Sequence, residues 1–170
     1  MRRVPITKIG LYGLCASIIA CAGCITIGGD NLQGKAKRTD QRSVAVGSAS
    51  ALKVATDVGA IKLDAADAGE VRITADITVK AKTDEEAEAL LEGVRVTAEP
   101  SGDTLVVKAE KPSGFGRNQL AVDFTITAPA GLRLDCTTNV GDIRVNGFTR
   151  RVETRTDVGS ITCSGLRDGT

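Results

Sequence analysis

TTNVGDIRV, residues 137–145, and TRTDVGSITC, residues 154–163, are two copies of one short phrase. A third copy, ATDVGAIKL, occupies residues 55–63. Each copy places Asp or Asn before Val-Gly and then an Ile-x-apolar pair, and Asn139 and Asp157 are 18 residues apart. A fixed short period is typical of repeat architectures, in which each unit buries its apolar face by stacking on the next unit. The phrase therefore predicts a stack of strands with glycine bends.

Three positions of the phrase are the candidate structural site residues. The bends hold Gly59, Gly141 and Gly159. The position predicted to face the core holds Ile61, Ile143 and Ile161. The first position holds Asp57, Asn139 and Asp157. Glycine at a bend indicates a positive φ or a close backbone approach, and substitution there is expected to destabilise its layer. A column of Asp and Asn has two interpretations: side chains that bond their own turn, which we favour, or a calcium site.

The body of the chain alternates apolar and polar residues from Leu52 to Cys163, which predicts strands buried on one face. One helix is predicted after Thr83, because Thr83 and Glu86 form a capping box, and Gly93 is predicted to end it. The predicted fold is all-β with one short helix. It is a β-solenoid or β-sandwich-like stack, with the 18-residue Gly-Ile repeat at its C-terminal end.

Residues 1–23 are predicted to be a signal peptide, because a basic start is followed by a short apolar run that ends in small residues. The string IIACAGC, residues 18–24, resembles the lipobox of bacterial lipoproteins, in which the signal is cut before a lipidated cysteine. Both Cys21 and Cys24 fit that role. An ordinary signal peptide is the alternative. A lipid anchor implies an exported protein held at the membrane of the bacterial cell envelope.

Residues 24–50 are rich in Gly, Ser, Lys and Ala and are predicted to be a flexible tether. The β domain is then expected to span residues 51–170. Within it, Phe115 is predicted to be exposed on a polar loop, which is either an ordinary connection or a binding loop. Cys136 and Cys163 are predicted to be two buried thiols rather than a disulfide, because they align with Thr154 and Val145 of the other unit.

Composition excludes several function classes. Without residues 1–23, 19 Lys and Arg remain against 21 Asp and Glu, so nucleic acid is not an expected partner. The chain has no His and only four aromatic residues, which disfavours nucleophile–base catalysis, metal binding and stacking on sugars. We therefore expect no enzyme activity, no cofactor and no metal.

The order of these features resembles the bacterial putative-adhesin family, a group of cell-envelope proteins of unknown function. The resemblance rests on a Gly-x-Ile strand pair, the helix TDEEAEALLEGVRV, the strand VDFTITAPAGLRLDC and the closing NVGDIRV and DVGSITC, and it covers residues 51–170. It implies an adhesin-like β-repeat domain. Members of that family carry further repeats, so we expect this stack to be truncated or open at its C-terminal edge.

These features predict a non-enzymatic, lipid-anchored envelope protein that contacts a protein or polysaccharide partner through its β-repeat domain. The alternative is an envelope assembly or regulatory module that acts by self-association through the C-terminal strand edge.

Overall fold

The structure is a computed structural model that describes residues 32–167 of the chain. These residues form eleven strands and one helix, joined by turns and loops. The strands before the helix are β1 (Gly34–Ala45), β2 (Ala51–Val58), β3 (Ile61–Ala66) and β4 (Glu70–Ala81). The helix is α1 (Asp84–Gly93). The strands that follow are β5 (Arg95–Ser101), β6 (Thr104–Glu110), β7 (Gln119–Pro129), β8 (Arg133–Val140), β9 (Ile143–Asn146), β10 (Val152–Val158) and β11 (Ile161–Ser164). The predicted signal peptide, residues 1–23, and the two candidate lipidation residues Cys21 and Cys24 lie outside the described residues.

The strands form two open sheets. One has six strands in the order β1-β4-β7-β3-β9-β11, and the other has five in the order β10-β8-β2-β6-β5. Both sheets are mixed: β1, β4 and β7 pair antiparallel, whereas β3, β9 and β11 continue parallel to β7. The inward faces of the two sheets share one apolar core, and Leu52 and Phe124 are among its largest fully buried members. The prediction of a mostly β fold with one helix is confirmed.

Alternation along the strands decides which face is buried. In β4 every second side chain from Val71 to Ala81 is buried, and the residues between them are exposed or half-buried. β7 shows the same period from Leu120 to Ala128. Because successive side chains of a strand point to opposite faces, this pattern places one face in the core and the other in water.

Three segments of the chain each contain two strands, one in each sheet, and we call these segments rungs. Rung 1 comprises β2 and β3, rung 2 comprises β8 and β9, and rung 3 comprises β10 and β11. The rungs lie side by side in parallel register: Leu134 pairs with Leu52 and Val152, and Ile143 pairs with Ile61 and Ile161. Rungs 1 and 2 pair although β4 to β7 lie between them in sequence, whereas rungs 2 and 3 follow one another directly.

The helix begins where the capping box predicted. The Thr83 hydroxyl accepts a hydrogen bond from the Glu86 N–H at 3.2 Å. The C-terminal end of α1 has no basic residue in its last turn, and β1 supplies one instead. The Arg38 guanidinium donates to the Leu91 and Val94 carbonyls at 3.0 and 2.8 Å. A cation at the C-terminal carbonyls satisfies them and complements the helix dipole.

The flexible tether predicted for residues 24–50 is wrong over Gly34–Ala45, because these residues form β1. All twelve of them pair with β4, from Gly34 opposite Ala81 to Ala45 opposite Glu70. The sequence concealed this strand because β1 is at the edge of its sheet. An edge strand carries charged and polar residues that prevent further pairing, and the same composition is typical of a linker.

The prediction that Phe115 is exposed is also wrong. Its side chain is 7% exposed and belongs to the core. The loop that carries it folds back on α1: Pro112 fills the space beside the Gly93 Cα, and the Asn118 side chain donates to Glu86 Oε1 at 3.1 Å. The polar residues around it, among them Lys111, Ser113 and Arg117, are exposed, so this is a solvated connection that a buried aromatic ring holds against the domain.

Candidate functional site

The bends of the three rungs form a column of glycines in which each backbone touches the next. Gly59, Gly141 and Gly159 have φ values of +136°, +148° and +146°. A Cβ on Gly141 would lie 2.1 Å from the Gly59 carbonyl oxygen, and a Cβ on Gly159 would lie 2.1 Å from that of Gly141. The Gly59 position is filled in the same way by the carbonyl of Val122 in β7. Glycine is therefore required by both backbone conformation and space.

Rungs 1 and 2 are joined at this column by three hydrogen bonds. The Gly59 N–H donates to the Val140 carbonyl and the Ile61 N–H donates to the Asp142 carbonyl, both at 2.9 Å. In the opposite direction, the Thr138 hydroxyl donates to the Gly59 carbonyl at 3.1 Å. Thr138 is fully buried, so this bond also satisfies a polar group inside the core.

Rungs 2 and 3 repeat the same set of bonds. The Gly141 N–H donates to the Val158 carbonyl and the Ile143 N–H donates to the Ser160 carbonyl, both at 2.9 Å. The Thr156 hydroxyl donates to the Gly141 carbonyl at 3.0 Å. At each junction, the rung that comes earlier in the chain thus offers two N–H groups and one carbonyl, and the rung that comes later offers two carbonyls and one hydroxyl.

Sequence reasoning missed the threonine of this junction. Thr56, Thr138 and Thr156 all stand three residues before the bend glycine, so the signal was present in every copy of the phrase. Thr56 makes a longer contact, 3.4 Å, to the carbonyl of Val122, because its neighbour on the side away from rung 2 is β7 rather than another rung. The full junction motif is therefore Thr-Asx-Val-Gly-x-Ile.

An aspartate on the outside of the bend reinforces the junction between rungs 2 and 3. Asp142 Oδ1 accepts from the Ser160 backbone N–H at 2.9 Å and from the Ser160 hydroxyl at 2.8 Å. These two bonds lower the pKa of the Asp142 carboxyl, with the backbone bond contributing most. The ionised carboxylate is therefore the form that supports the bend.

The column of Asp57, Asn139 and Asp157 lies on the outer face. The paired threonines and valines on either side place Asp157 beside Asn139. Asp57 bonds Lys111 Nζ at 2.6 Å and Asp157 bonds the Arg155 guanidinium at 3.3 Å, so each carboxylate already has a cationic partner. Residues 32–167 contain no group of three or more His, Cys, Asp and Glu that could hold a metal ion.

The core-facing isoleucines of the phrase do not share one environment. Ile61 and Ile143 are fully buried, as predicted, but Ile161 is 44% exposed. The prediction that Ile161 is buried is wrong because β10 and β11 are the last strands of their sheets at this end. Ile161 has rung 2 on one side and, within the described residues, no rung on the other.

The two cysteines of the body differ in the same way. Cys136 is buried, and burial raises the pKa of its thiol to about 12. Cys163 is exposed, which contradicts the prediction of two buried thiols. Neither forms a disulfide with the other, and Cys136 pairs with Thr154 while Cys163 pairs with Val145, in agreement with the repeat alignment.

The exposed end of rung 3 keeps the apolar residue types of a buried layer. Val145 and Phe148 are buried in rung 2 and in the turn that follows it. The residues 18 positions later are Cys163, which is exposed, and Leu166, which is 44% exposed. Val158, beside the last bend, is 63% exposed, but its counterparts Val58 and Val140 are also exposed, at 41% and 45%, so it does not distinguish rung 3. Within residues 32–167 no strand pairs with the outer edges of β10 and β11, and we call Ile161, Cys163 and Leu166, together with these edges, the terminal face.

The charged side chains of β10 all lie on one face of the strand. Glu153, Arg155 and Asp157 alternate with the inward-facing residues of β10 and lie on the outer face. Natural edge strands commonly avoid pairing by placing charges or proline where another strand would approach. The inward positions of rung 3 carry none, so its sequence resembles an internal layer rather than a cap.

The outer face of the five-stranded sheet offers a different kind of surface, an open groove of about 340 Å³. Lys53 bonds Asp135 at 2.7 Å, and this bond raises the pKa of the Lys53 ammonium. Arg151 pairs with Glu153 in the same groove. Because its cations face carboxylates, the groove has little uncompensated charge for an ionic ligand. No helix within residues 32–167 has the length and hydropathy to cross a bilayer.

No protein-family description and no curated protein matches the chain. Solved structures similar to it include a putative cell adhesion protein from Clostridium sporogenes, with 10% identity, a TM-score of 0.48 and coverage of 73% of this chain and 59% of that one. A putative adhesin from Bacteroides fragilis has 20% identity, a TM-score of 0.47 and coverage of 76% and 55%. A putative lipid binding protein from Parabacteroides distasonis has 12% identity, a TM-score of 0.37 and coverage of 68% and 46%. The chain spans about half of the length of these structures.

Proposed function

We propose that this protein is a non-enzymatic, adhesin-like contact protein of the bacterial cell envelope, in which a lipid anchor at Cys21 or Cys24 holds a β domain that binds a protein or polysaccharide partner. The observation that carries the contact role is the terminal face. It combines exposed Ile161 and Leu166 with an edge of each sheet that is unpaired within residues 32–167. Exposed apolar surface beside free strand edges is characteristic of an interaction site.

The anchor is supported by the sequence alone. The basic residues before the apolar run and the small residues before Cys21 and Cys24 are those that a lipoprotein signal requires. Mass spectrometry of the mature protein tests the anchor and its position. An N-terminal cysteine that carries acyl chains supports it, whereas a mature N-terminus that begins elsewhere contradicts it. The Cys21→Ser and Cys24→Ser variants identify the modified residue.

We also propose that rungs 1, 2 and 3 are coils of a short β-solenoid set against the antiparallel strands β1, β4 and β7. The constant offset of 18 residues between rungs 2 and 3 supports this description. A solenoid presents the same backbone pattern at its end as at every internal junction. The end of such a stack is therefore suited to accept additional strands.

Self-association through the same edge is the second candidate function, as an envelope assembly or regulatory module. Within the part of the chain that the structure describes, the outer edges of β10 and β11 have no partner strand, and this favours self-association, because an unpaired edge is a template for another strand. Light scattering and electron microscopy of the full chain separate the two functions. Discrete monomers favour contact with a different partner, and filaments or larger assemblies favour self-association.

A pull-down from envelope extract with the full chain tests the contact role. The Ile161→Glu variant introduces a charge into the terminal face, and Thr162→Glu places the same charge on the outer face of the same strand, beside Arg144. We expect partners identified by mass spectrometry to be lost with Ile161→Glu and kept with Thr162→Glu. Equal recovery with both variants would show that the terminal face is not the contact surface.

A further inference from the structure

We propose that one corner of the six-stranded sheet docks on anionic phospholipid headgroups of the membrane that holds the lipid anchor. The corner consists of Lys35 and Lys37 of β1 and Lys80 of β4, and we call it the lysine corner. The inference rests on the proposed anchor at Cys21 or Cys24 and adds an orientation of the β domain on the membrane.

The three lysines lie side by side on the outer face of the sheet. Lys35 is directly opposite Lys80 in the antiparallel pair, and Lys37 follows two residues along β1. All three are exposed, whereas the neighbouring opposite pair, Ala36 and Val79, is buried. Side chains directly opposite each other have Cβ atoms about 5 Å apart, so the positive charges of the corner are concentrated in one small area.

The positive charge of the corner has no partner within the domain. On other parts of the outer faces lysines bond carboxylates, as Lys53 bonds Asp135 at 2.7 Å. Among residues 32–167, none of the three corner lysines forms an ion pair. Like charges directly opposite each other are destabilising, so the pairing of Lys35 with Lys80 is unfavourable in the isolated domain. An anionic surface would supply the missing counter-charge.

The acidic groups near the corner leave it an excess of positive charge. Along β4 the next charged residue on the outer face is Asp76, four residues before Lys80. Asp84, at the start of α1, accepts from the backbone N–H of Lys35 at 2.9 Å, so one carboxylate borders the three ammonium groups. The rest of α1 packs on the inner side of β1 and β4, where its buried residues Ala87 and Leu91 join the core.

The charge of the whole protein makes the corner the place where an anionic membrane attracts it. Without residues 1–23, 19 Lys and Arg face 21 Asp and Glu, so attraction depends on a local excess of cations. Each lysine close to an anionic membrane strengthens binding about fivefold. This attraction extends over a Debye length of about 8 to 10 Å, so the lysines must lie at the headgroups to contribute.

The chain enters the domain at the lysine corner. Gly34 begins β1 and directly precedes Lys35, and it follows Cys24 by 10 residues and Cys21 by 13. Segments of these lengths span at most about 36 and 47 Å, whatever their conformation. An anchor at either cysteine would therefore keep the corner near the headgroups, where a weak attraction is effective because the local concentration is high.

Further strands beyond β11 would not cover the corner. β1 and β11 are the two edges of the six-stranded sheet, and five strand spacings separate them by about 24 Å. Strands added to β11 would extend the sheet at the far edge and leave the outer face of β1 and β4 unchanged. Docking would place β1 at the membrane and direct the terminal face away from it.

The test measures the reactivity of single lysines in the mature lipoprotein. The protein is reconstituted into vesicles of phosphatidylcholine alone or of equal parts of phosphatidylcholine and phosphatidylglycerol. An amine-acetylating reagent is added, and mass spectrometry gives the rate at each lysine. We expect Lys35, Lys37 and Lys80 to react at least about threefold more slowly on the anionic vesicles, and Lys53 and Lys108 to react at an unchanged rate. High salt should remove the difference, because it screens the charges.

Two matched double variants separate docking from mere proximity to the anchor. Lys37→Gln with Lys80→Gln removes two charges from the corner, whereas Lys53→Gln with Lys108→Gln removes two from the outer face of the other sheet. We expect Lys35 to lose its protection in the first variant and to keep it in the second. The first variant also loses the repulsion between Lys35 and Lys80, so it should be at least as stable in urea as the original chain.

The outcomes distinguish this inference from the proposed anchor. Equal reactivity of the corner lysines on both kinds of vesicle, or protection of Lys35 that persists in the corner variant, would overturn the docking and leave the anchor in place. If mass spectrometry finds no acyl chain, the anchor fails, and co-sedimentation of the soluble mature protein with the same vesicles tests the corner. Binding to anionic vesicles that only the corner variant loses would support the corner, and equal recovery of both variants would overturn it.

Discussion

Replacement of Gly141 by Ala should break the stack at its centre. Gly141 is the bend of rung 2, with rungs 1 and 3 on its two sides. Its φ of +148° is a conformation that residues with a side chain rarely adopt. The new Cβ would lie 2.1 Å from the Gly59 carbonyl oxygen and 2.6 Å from the carbonyl carbon. Both neighbours are backbone, so rungs 1 and 2 must separate at the bend.

The free energy of unfolding should fall by about 4 to 6 kcal/mol. Separation removes the three hydrogen bonds that join rungs 1 and 2 at the bend, each contributing about 1 kcal/mol. The φ of +148° adds about 1 to 3 kcal/mol of strain for a residue with a side chain. Since a domain is stable by roughly 5–15 kcal/mol, this single methyl group would remove a large part of the stability.

Urea unfolding followed by circular dichroism measures the loss, and two other glycines are controls. Gly69→Ala has neither a positive φ nor a neighbouring atom within 4 Å and should change stability by less than about 1 kcal/mol. Gly47→Ala has a φ of +55° with open space around it and should lose about 1 kcal/mol. If Gly141→Ala were as stable as Gly47→Ala, the close contact between the bends would not hold the stack.

Other predictions follow from the position of each residue in the stack. In urea unfolding, Ile143→Glu should lower the free energy of unfolding by at least about 3 kcal/mol, whereas Ile161→Glu should lower it by less than about 1 kcal/mol. Equal losses in the two variants would contradict the exposed position of Ile161. A maleimide followed by peptide mapping should label Cys163 rapidly and Cys136 only after unfolding, because burial raises the pKa of the latter thiol to about 12. The bend at Asp142 should loosen in acid, because its folded pKa is lowered, so its contribution is present above the unfolded pKa and is lost as the pH falls through the folded pKa. Hydrogen-exchange protection factors in rung 3, corrected for the intrinsic rate at each pH, should fall at low pH in the original chain and not in the Asp142→Asn variant.

The repeated phrase was sufficient to predict which residues meet in the stack. Its spacing placed Asp157 beside Asn139 and aligned Cys163 with Val145, because parallel strands in register keep a constant offset. The helix start at Thr83 was predictable for a similar reason, since a cap depends on residues three apart in sequence. Local rules of this kind need no knowledge of the rest of the chain.

Burial at the ends of the stack was not predictable in this way. Ile161 has the same local sequence as Ile143, yet the first is 44% exposed and the second is fully buried. The difference arises only from what lies on the far side of each rung. The predictions for Phe115 and for the residues of β1 were wrong for a different reason. In both places polar neighbours in the sequence concealed a packed feature, a buried aromatic ring in one case and a paired edge strand in the other.

The sequence by itself determined the alternation of the strands, the glycine bends and the offset of the last two rungs, because each depends on neighbours within a few residues or on one short period. Only the tertiary structure decided which edges remain free, which of two equivalent side chains is covered, and that Arg38 of β1 binds the end of α1. These properties depend on contacts between segments that are distant along the chain, and such contacts are set by the packing of the two sheets as a whole.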